Sequence, residues 1–380
     1  MAQQQHPPTL AVIGTGGTIA GCALRPDDVL RYQAAVLPVQ ALLAALEPPP
    51  GFAIEAQQLL QIDSKDASEA HWRALLRAVQ QQLERPWVHG VLVTHGTDTL
   101  EESAFLLQTV LRPAKPVLLV GAMRPSTALL SDGAQNLADA LQLAATPGVR
   151  GVLVPCAGRI YAGNEVRKLH PHRLDAFGAG DAGALAALAG GRLQRWRPWP
   201  GEGWLQHGSL APDAPCSPSP QQPALLPLLL AEPPWPRVEW ISSHGAQTGA
   251  LVRALLLQHA QADGTEAALR GLVVAGTGNA TVHSALAQAL RQAQQAGVLV
   301  WRCSRTGTCV PPGPDAAQPL LDGGPYGPYG LLCAPAQGAA RAAAQADGSA
   351  AAVGDFPVTA LPAPQARLAL QLHLLAQRPV

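Results

Sequence analysis

The sequence predicts an α/β protein with a parallel-sheet α/β domain in its first half and a smaller α/β domain in its second half. Short apolar runs alternate with helical periodicity at roughly 30 to 40 residues per unit, which is typical of a parallel sheet covered by helices. Prolines are dense and helical periodicity is lost over residues 197–236. Alternation resumes after them, so we expect domains at 1–196 and 237–380 that are joined by the proline-rich connection 197–236.

The elements of the first half follow from the spacing of their apolar residues. Apolar or alternating runs predict strands at 9–13, 52–59, 91–93, 117–120 and 151–155. Apolar residues three and four apart predict helices at 39–46, 66–79, 100–111 and 134–143. Asp66, with Glu69 three residues later, suits a capping box at the start of the second helix. Residues 22–35 have no clear period and predict a loop that carries Tyr32.

The second half repeats the alternation on a smaller scale. Apolar runs predict strands at 238–242, 272–275 and 298–301. Helical spacing lies between and behind them, at 249–258, 281–296 and 365–377. This half contains no catalytic motif that the residues alone would identify.

The composition argues against several classes of protein. The formal net charge is 0, with 26 basic and 26 acidic residues, so we expect neither nucleic acid nor an anionic membrane as a partner. The first nine residues lack the pattern of a secretory signal, and no apolar run is long enough to span a membrane. The six cysteines form no C-x-x-C pair, and the histidines show no metal-binding spacing. We therefore expect a cytoplasmic protein with reduced thiols.

Two turns that carry hydroxyl groups follow predicted strands. Residues 14–18 read Gly-Thr-Gly-Gly-Thr, and residues 94–99 read Thr-His-Gly-Thr-Asp-Thr. The carboxyl ends of parallel strands share one sheet edge, so we expect the two turns to meet there. A dinucleotide site is disfavoured because Ile19 replaces the third glycine, and neither a P-loop lysine nor a G-x-S-x-G elbow is present.

A threonine nucleophile is the chemistry that remains for these turns. Thr18 is flanked by glycines, whose backbone lets a substrate carbonyl approach and whose N–H groups can hold an oxyanion. The alternative is that the glycines only make a tight turn and that Thr18 caps a helix. Asp98 can likewise be a helix cap. Lys168 can act as a base if it is buried beside a threonine hydroxyl, but a surface lysine is the simpler interpretation.

The motifs resemble those of the bacterial-type L-asparaginases. Residues 15–21, Thr-Gly-Gly-Thr-Ile-Ala-Gly, resemble the first active-site motif of that family, and residues 94–102 resemble the second. Residues 121–126 with 131–133, and residues 150–154, are also similar. The likeness covers most of the first 190 residues or so and continues more weakly through 274–279.

The resemblance implies hydrolysis of L-asparagine to L-aspartate and ammonia without a metal or cofactor. It implies that Thr18 is the nucleophile of an acyl-enzyme, activated by Tyr32. Thr97, Asp98 and Lys168 would form a second triad that handles the attacking water, although which threonine attacks first stays open.

The resemblance also implies the substrate pocket. Ser64 would hold the α-carboxylate and Asp98 the α-ammonium of the substrate. Further pocket positions in the matching motifs are Gly17, Lys65, Thr97 and Ala122. Lys65 departs from the neutral residue that is frequent in the family, and its charge would repel a substrate ammonium unless it pairs with a neighbouring aspartate.

Family members are usually homotetramers, built as dimers of dimers in which the neighbour's C-terminal domain completes each site. Asn279 or Thr281 would be the residue contributed across the interface, and residues 315–322 offer no clear equivalent of the family's later acidic residue. Alternatives are a relaxed glutaminase-asparaginase or related amidase, an amidohydrolase subunit that acts on aminoacyl-tRNA, and a binding module that has lost catalysis.

Overall fold

The computed structural model describes the chain in five segments, residues 6–202, 225–231, 234–262, 268–307 and 356–377. The chain divides into two compact units, residues 1–214 and 215–380. Residues 203–224 and 232–233 of the expected connection lie outside the described residues, as does the stretch 315–322. Within the described part of that connection, residues Leu225–Leu230 form a short helix that the proline content did not predict.

The first unit is built on one eight-stranded sheet. Its strands are β1 (Thr9–Gly16), β4 (Ala53–Ile62), β5 (Val88–Thr94), β6 (Pro116–Val120), β7 (Gly151–Cys156), β8 (Arg159–Ala162), β11 (Ala186–Ala189) and β12 (Arg192–Arg195). Their order across the sheet is β12-β11-β8-β7-β6-β5-β1-β4. Strands β4, β1, β5, β6 and β7 are parallel, as the sequence predicts, whereas β8, β11 and β12 extend the sheet in antiparallel fashion.

Helices cover both faces of the parallel part. They are α1 (Val39–Leu43), α2 (Glu69–Glu84), α3 (Leu100–Leu111) and α4 (Gly133–Ala145). Leu10, Val12 and Leu118 point to the face on which α1 and α4 pack, and α2 and α3 contact β5 and β7 from the other face. Strands β1, β6 and β7 are buried at every residue, as expected when a parallel sheet is covered on both sides.

The order of the strands creates a crevice beside β1. The chain leaves β1 to form β4 on one side and then crosses back to form β5 on the other side. Connections therefore leave the carboxyl ends of β1 and β5 in opposite directions. Such a switch point is where open α/β sheets bind their ligands, and both threonine turns lie there.

Two local predictions for the first unit were wrong. Residues 22–35 are not simply a loop, because β2 (Cys22–Ala23) pairs with β3 (Tyr32–Gln33) in an antiparallel hairpin. The capping box of α2 uses Ser68 and His71 rather than Asp66 and Glu69, because Ser68 is the residue directly before the first helical turn. The chain also forms a small hairpin from β9 (Arg167–Lys168) and β10 (Phe177–Gly178).

The second unit has its own parallel sheet and core. Strands β13 (Arg237–Ser242), β14 (Leu269–Gly276) and β15 (Leu299–Ser304) lie in that order. Its helices in the described residues are α5 (Leu225–Leu230), α6 (Ala250–Gln261), α7 (Ser284–Gln295) and α8 (Ala363–Ala376). Each predicted strand and helix of this half is present. Helix α8 is buried over most of its surface rather than along one stripe, because both β13 and β14 contact it.

The described residues can be inspected for membrane-spanning helices and for disulfides. No helix there is long and apolar enough to cross a membrane. Three of the six cysteines, Cys22, Cys156 and Cys303, lie in the described segments, and none of the three is in a disulfide there.

Candidate active site

The two threonine turns touch each other through their backbones. Strand β1 ends beside β5, and the Thr15 hydroxyl donates a hydrogen bond of 2.7 Å to the carbonyl of Thr94. A Cβ placed on Gly17 would lie only 2.3 Å from backbone atoms of Gly96. Gly17 also has φ 80° and ψ −173°, a conformation that is essentially restricted to glycine. These glycines therefore allow direct packing of one turn on the other.

The hydroxyl of Thr18 is bonded to that of Tyr32. The two oxygens are 2.8 Å apart, and Thr18 is buried. Thr18 is the first residue of a short 3₁₀ helix whose cap position is Gly17, so helix capping does not account for its side chain. Tyr32 lies on strand β3, which pairs with strand β2. Strand β2 is attached to the residues after β6, because the backbone N–H of Ala23 donates to the Thr127 hydroxyl at 2.8 Å. The hairpin thus brings a phenolic oxygen to the threonine.

Thr97, Asp98 and Lys168 form a second hydroxyl cluster. The Lys168 ammonium donates to Thr97 Oγ1 at 2.8 Å and to Asp98 Oδ1 at 2.6 Å. The Lys168 side chain is only 16% exposed and that of Asp98 is 53% exposed, so the pair lies at the rim of the site. The surface interpretation of Lys168 is therefore wrong. Capping does not explain Asp98 either, because Thr99 is the residue at the cap position of α3.

Ser64 lies directly beneath the turn of Gly96. A Cβ on Gly96 would lie 2.5 Å from the Ser64 hydroxyl oxygen, so the two residues are in close contact. The Thr99 hydroxyl donates to the Ser64 carbonyl at 2.9 Å and fixes its backbone. The Ser64 hydroxyl itself is buried and has no hydrogen-bond partner. A buried hydroxyl without a partner is costly, and a bound ligand oxygen would satisfy it.

Lys65 is paired with its aspartate neighbours. Its ammonium is bonded to Asp66 and lies 3.9 Å from Asp63. The hydrogen bond that Lys65 donates to Asp66 raises the pKa of Lys65 above its usual value, and the charges of Asp66, Asp63 and Asp98 act in the same direction. The positive charge that the sequence identified as a problem for an ammonium ligand is thus compensated locally.

Ala122 lies at the end of β6, next to the second cluster. It is buried, and a Cβ on the adjacent Gly121 would lie 2.8 Å from the Thr97 methyl group. The carboxylate of Asp132 accepts hydrogen bonds from the backbone N–H groups of Met123 and Arg124 at 2.9 to 3.1 Å. The motif residue Asp132 therefore shapes the turn after Ala122, a role that the sequence did not specify.

A buried polar chain supports the Thr97 turn from below. The His95 Nδ1–H donates to the Gly96 carbonyl at 2.7 Å. The Ser103 hydroxyl donates a hydrogen bond of 2.9 Å to His95 Nε2. The same hydroxyl oxygen accepts a hydrogen bond of 3.0 Å from Trp72 Nε1–H. Burial lowers the pKa of His95, so the ring is neutral and its tautomer is fixed by the carbonyl. No sequence motif marks Trp72 or Ser103 as part of the site.

Glu101 is a further site residue that the sequence did not identify. Its Oε2 accepts a hydrogen bond of 2.5 Å from the backbone N–H of Lys168. Burial raises the pKa of Glu101 to about 7, while the bond from Lys168 opposes the rise. Acidic residues are common in the first turn of a helix, so no sequence signal separates Glu101 from an ordinary one.

Asn279 and Thr281 belong to the second unit and lie in a tight turn after β14. The backbones of Thr277 and Thr281 exchange hydrogen bonds of 2.9 and 2.8 Å, and their hydroxyls are 2.9 Å apart. Asn279 is at the exposed tip of this turn, and Ala280 has a positive φ of 60°. Their predicted contribution to a neighbour's site stays a prediction.

The open sheet, its switch point and the two hydroxyl turns define an α/β protein whose candidate ligand site lies at the carboxyl ends of its strands. The chain belongs to the asparaginase family, because the family model described as "Asparaginase, N-terminal" matches residues 9–199. The resemblance drawn from the two threonine motifs is thereby confirmed.

Similar curated proteins are described either as glutaminase-asparaginases or as L-asparaginases. The chain is 40% identical over 189 residues to a glutaminase-asparaginase of Acinetobacter glutaminasificans, covering 48% of this chain and 56% of that protein. It is 30% identical to the Pseudomonas fluorescens glutaminase-asparaginase, covering 78% and 75%. Against L-asparaginase 2 of Bacillus subtilis it is 32% identical, covering 50% and 51%. The chain thus spans about half the length of most of these relatives.

A solved structure extends the likeness to nearly the whole chain. The probable cytoplasmic L-asparaginase of Campylobacter jejuni superposes with a TM-score of 0.70 at 26% identity, covering 96% of this chain and 94% of that one. The predicted fold class, a parallel-sheet α/β domain followed by a smaller α/β domain, is confirmed.

Proposed function

We propose that this chain hydrolyses the side-chain amide of L-asparagine to give L-aspartate and ammonia. The observation that carries the proposal is the pair of hydroxyl clusters on turns that touch each other, Thr18 with Tyr32 and Thr97 with Lys168. A hydroxyl nucleophile needs a neighbouring group through which its proton can leave. Thr18 has the Tyr32 hydroxyl within hydrogen-bond distance, and Thr97 has the Lys168 side chain.

In the first half of the proposed reaction, Thr18 Oγ1 attacks the amide carbon as its proton passes to the Tyr32 oxygen and the Tyr32 hydroxyl proton passes on to the amide nitrogen. The Gly17 N–H already donates to the Ile62 carbonyl at 2.9 Å, so the N–H groups of the Thr97 turn are the ones suited to hold the oxyanion that develops. Collapse of the tetrahedral intermediate breaks the C–N bond. Ammonia leaves with the proton, and an ester to Thr18 remains.

In the second half, Thr97 positions a water that attacks the ester, and the water's proton passes through the hydroxyl groups of the site to the departing Thr18 oxygen. Thr97 lies within hydrogen-bond distance of Lys168, whose side chain is mostly buried, so it can position the water and relay a proton. Aspartate is released with Thr18 protonated again. Every group in this scheme belongs to the chain, so dialysis against EDTA is expected to leave the rate unchanged.

The proposal assigns the charged ends of the substrate to opposite sides of the site. The unpartnered Ser64 hydroxyl would donate to the α-carboxylate, and Asp98, whose side chain is half exposed, would accept from the α-ammonium. Gly17 and Ala122 would line the pocket. Lys65 is compensated by Asp66, so we expect Lys65→Gln to change KM for asparagine by less than about threefold.

A glutaminase-asparaginase is the second candidate, since two of the similar relatives are described in that way. The ratio of kcat/KM for L-asparagine, L-glutamine and D-asparagine separates the two. Equal turnover of glutamine and asparagine would replace the narrow assignment with the broader one.

We extend the proposal to assembly and location. The expected assembly is a homotetramer in which Asn279 or Thr281 of a neighbouring copy completes each site, with 1–196 and 237–380 as the two domains. Sedimentation at assay concentration tests this, and a fully active monomer would contradict it. A cytoplasmic location is proposed by analogy with the Campylobacter jejuni protein, and cell fractionation tests it.

The main experiment measures ammonia release by the variants Thr18→Ala and Thr97→Ala. We expect a loss of at least about 10³-fold in kcat for each, with Thr146→Ala as the matched control, because its hydroxyl only bonds a helix-end carbonyl. Activity within tenfold of wild type in both site variants would refute the mechanism. If the wild type binds L-aspartate but releases no ammonia, the chain is a binding module instead.

A further inference from the structure

Lys168 is held at two points in the structure. Its ammonium contacts Thr97 and Asp98, and its backbone N–H donates to the carboxylate of Glu101 on α3. The strand that carries it, β9, is only two residues long and pairs only with β10, outside the main sheet. The carboxylate of Glu101 therefore connects this short strand to the helix that follows the Thr97 turn.

The carboxyl group of Glu101 is unusual for this position. It is largely buried, and the charged groups that act on it are Glu102 on its own helix and Arg167 and Lys168 on β9. A glutamine amide would accept the same N–H bond without the cost of burying a charge. What only a carboxylate supplies is a stronger, charge-assisted bond to the backbone and a negative charge near the Lys168 ammonium.

We propose that Glu101 is a positioning residue for the proposed amide hydrolysis, and that its ionised carboxylate holds the main chain of Lys168 so that the ammonium stays on Thr97 and Asp98. This inference rests on the proposed function. Glu101 does not touch the substrate in this scheme, and it acts through Lys168.

The proposal makes kcat depend on the ionisation of Glu101. Its pKa of about 7 means that the carboxylate is charged above neutral pH and protonated below it. Charge-assisted hydrogen bonds are roughly twice as strong as neutral ones, so we expect kcat to fall about fivefold as pH drops through 7. KM is expected to change less than twofold, because Ser64 and Asp98 rather than Glu101 contact the substrate in the proposed complex.

The test compares Glu101→Gln with Glu102→Gln, which removes the same charge from the adjacent position of the same helix turn. For Glu101→Gln we expect kcat to be about fivefold below wild type at pH 8.5 and within twofold of it at pH 5.5, with no inflection near pH 7. Glu102→Gln should keep an inflection near neutral pH. Loss of kcat by the same factor at every pH, or an unchanged wild-type profile in Glu101→Gln, would overturn the proposal.

A second readout does not need catalysis. Reductive methylation of Lys168, followed by peptide mass spectrometry, is expected to be several-fold faster in Glu101→Gln than in wild type and Glu102→Gln, because the side chain leaves Thr97 and Asp98 more often. Equal labelling rates in correctly folded proteins would refute the positioning role. An inactive wild type that still shows the labelling difference would refute the proposed function alone.

Discussion

Glu101 couples the stability of the fold to pH, and the replacement Glu101→Gln isolates this coupling. The folded state keeps the Glu101 proton up to about pH 7, whereas the ordinary pKa of the side chain is 4.5. Proton binding therefore stabilises the folded state fully below pH 4.5, and this stabilisation is lost as pH rises through 7. The glutamine amide of the variant cannot titrate, so the variant lacks this contribution at every pH.

The size of the effect follows from the two pKa values. At about 1.4 kcal/mol per pKa unit, the interval from 4.5 to about 7 corresponds to about 3 kcal/mol in the free energy of unfolding. About 2.5 kcal/mol of this lies between pH 5 and pH 8, because the unfolded chain is already mostly ionised at pH 5. The wild type is expected to lose this amount relative to Glu101→Gln over that range.

Urea unfolding of both proteins at pH 5 and pH 8 measures the effect, with tryptophan fluorescence as the signal. Subtracting the two pH dependences removes the contributions of all other groups that titrate in both proteins. Glu102→Gln serves as the control and should follow the wild type to within about 1 kcal/mol. A difference below about 0.5 kcal/mol between wild type and Glu101→Gln would show that the buried carboxyl titrates normally, and the reasoning would fail.

Three further substitutions test the packing of the site and the proposed role of Tyr32. Gly17→Ala should destabilise the first unit by more than about 2 kcal/mol, because the new Cβ meets the Gly96 backbone. Gly51 has a similar φ of 83°, but a Cβ there would have no atom within 4 Å, so the control Gly51→Ala should cost about 1 kcal/mol. Equal urea midpoints for the two variants would refute the contact. Tyr32→Phe should lower kcat by about 10²-fold or more with little change in KM, since only a proton acceptor is lost; an unchanged kcat would remove Tyr32 from the mechanism. Ser103→Ala leaves buried polar groups unpaired and should lower the free energy of unfolding by about 1 to 3 kcal/mol; thermal unfolding measures this, and an unchanged Tm would contradict it.

The part of the fold that could be predicted is the part with strong apolar patterning. Strand β1 is buried at all eight of its residues and reads as an apolar run, so its existence and its neighbour β5 follow from the sequence. The antiparallel extension is different. Strand β12 has exposed arginines at both ends and no residue that is fully buried, so the hydrophobic pattern on which strand prediction depends is missing. The β2–β3 hairpin is too short to show any period.

The residues of the candidate site also differ in how far the sequence predicted them. Thr18 and Thr97 stand in motifs at strand ends, so their approach to each other was predictable from topology. The role of Tyr32 was assigned by family resemblance alone. For Lys168 the sequence allowed a base beside a threonine but favoured a surface lysine, and only the resemblance favoured the site. Glu101 was missed because its partner is a backbone N–H at a sequence separation of 67 residues, and a backbone group leaves no mark in the sequence.

The contact between Gly17 and Gly96 has a consequence for how this scaffold can be altered. At this contact main-chain atoms meet main-chain atoms, so rotamer changes there cannot adjust the spacing between the two threonine turns gradually. Most substitutions in the two threonine turns are therefore expected to give inactive variants. Changes in substrate range should instead be recoverable from two surrounding segments that carry proposed site residues, the hairpin at 22–33 with Tyr32 and the short helix Ser64–Asp66.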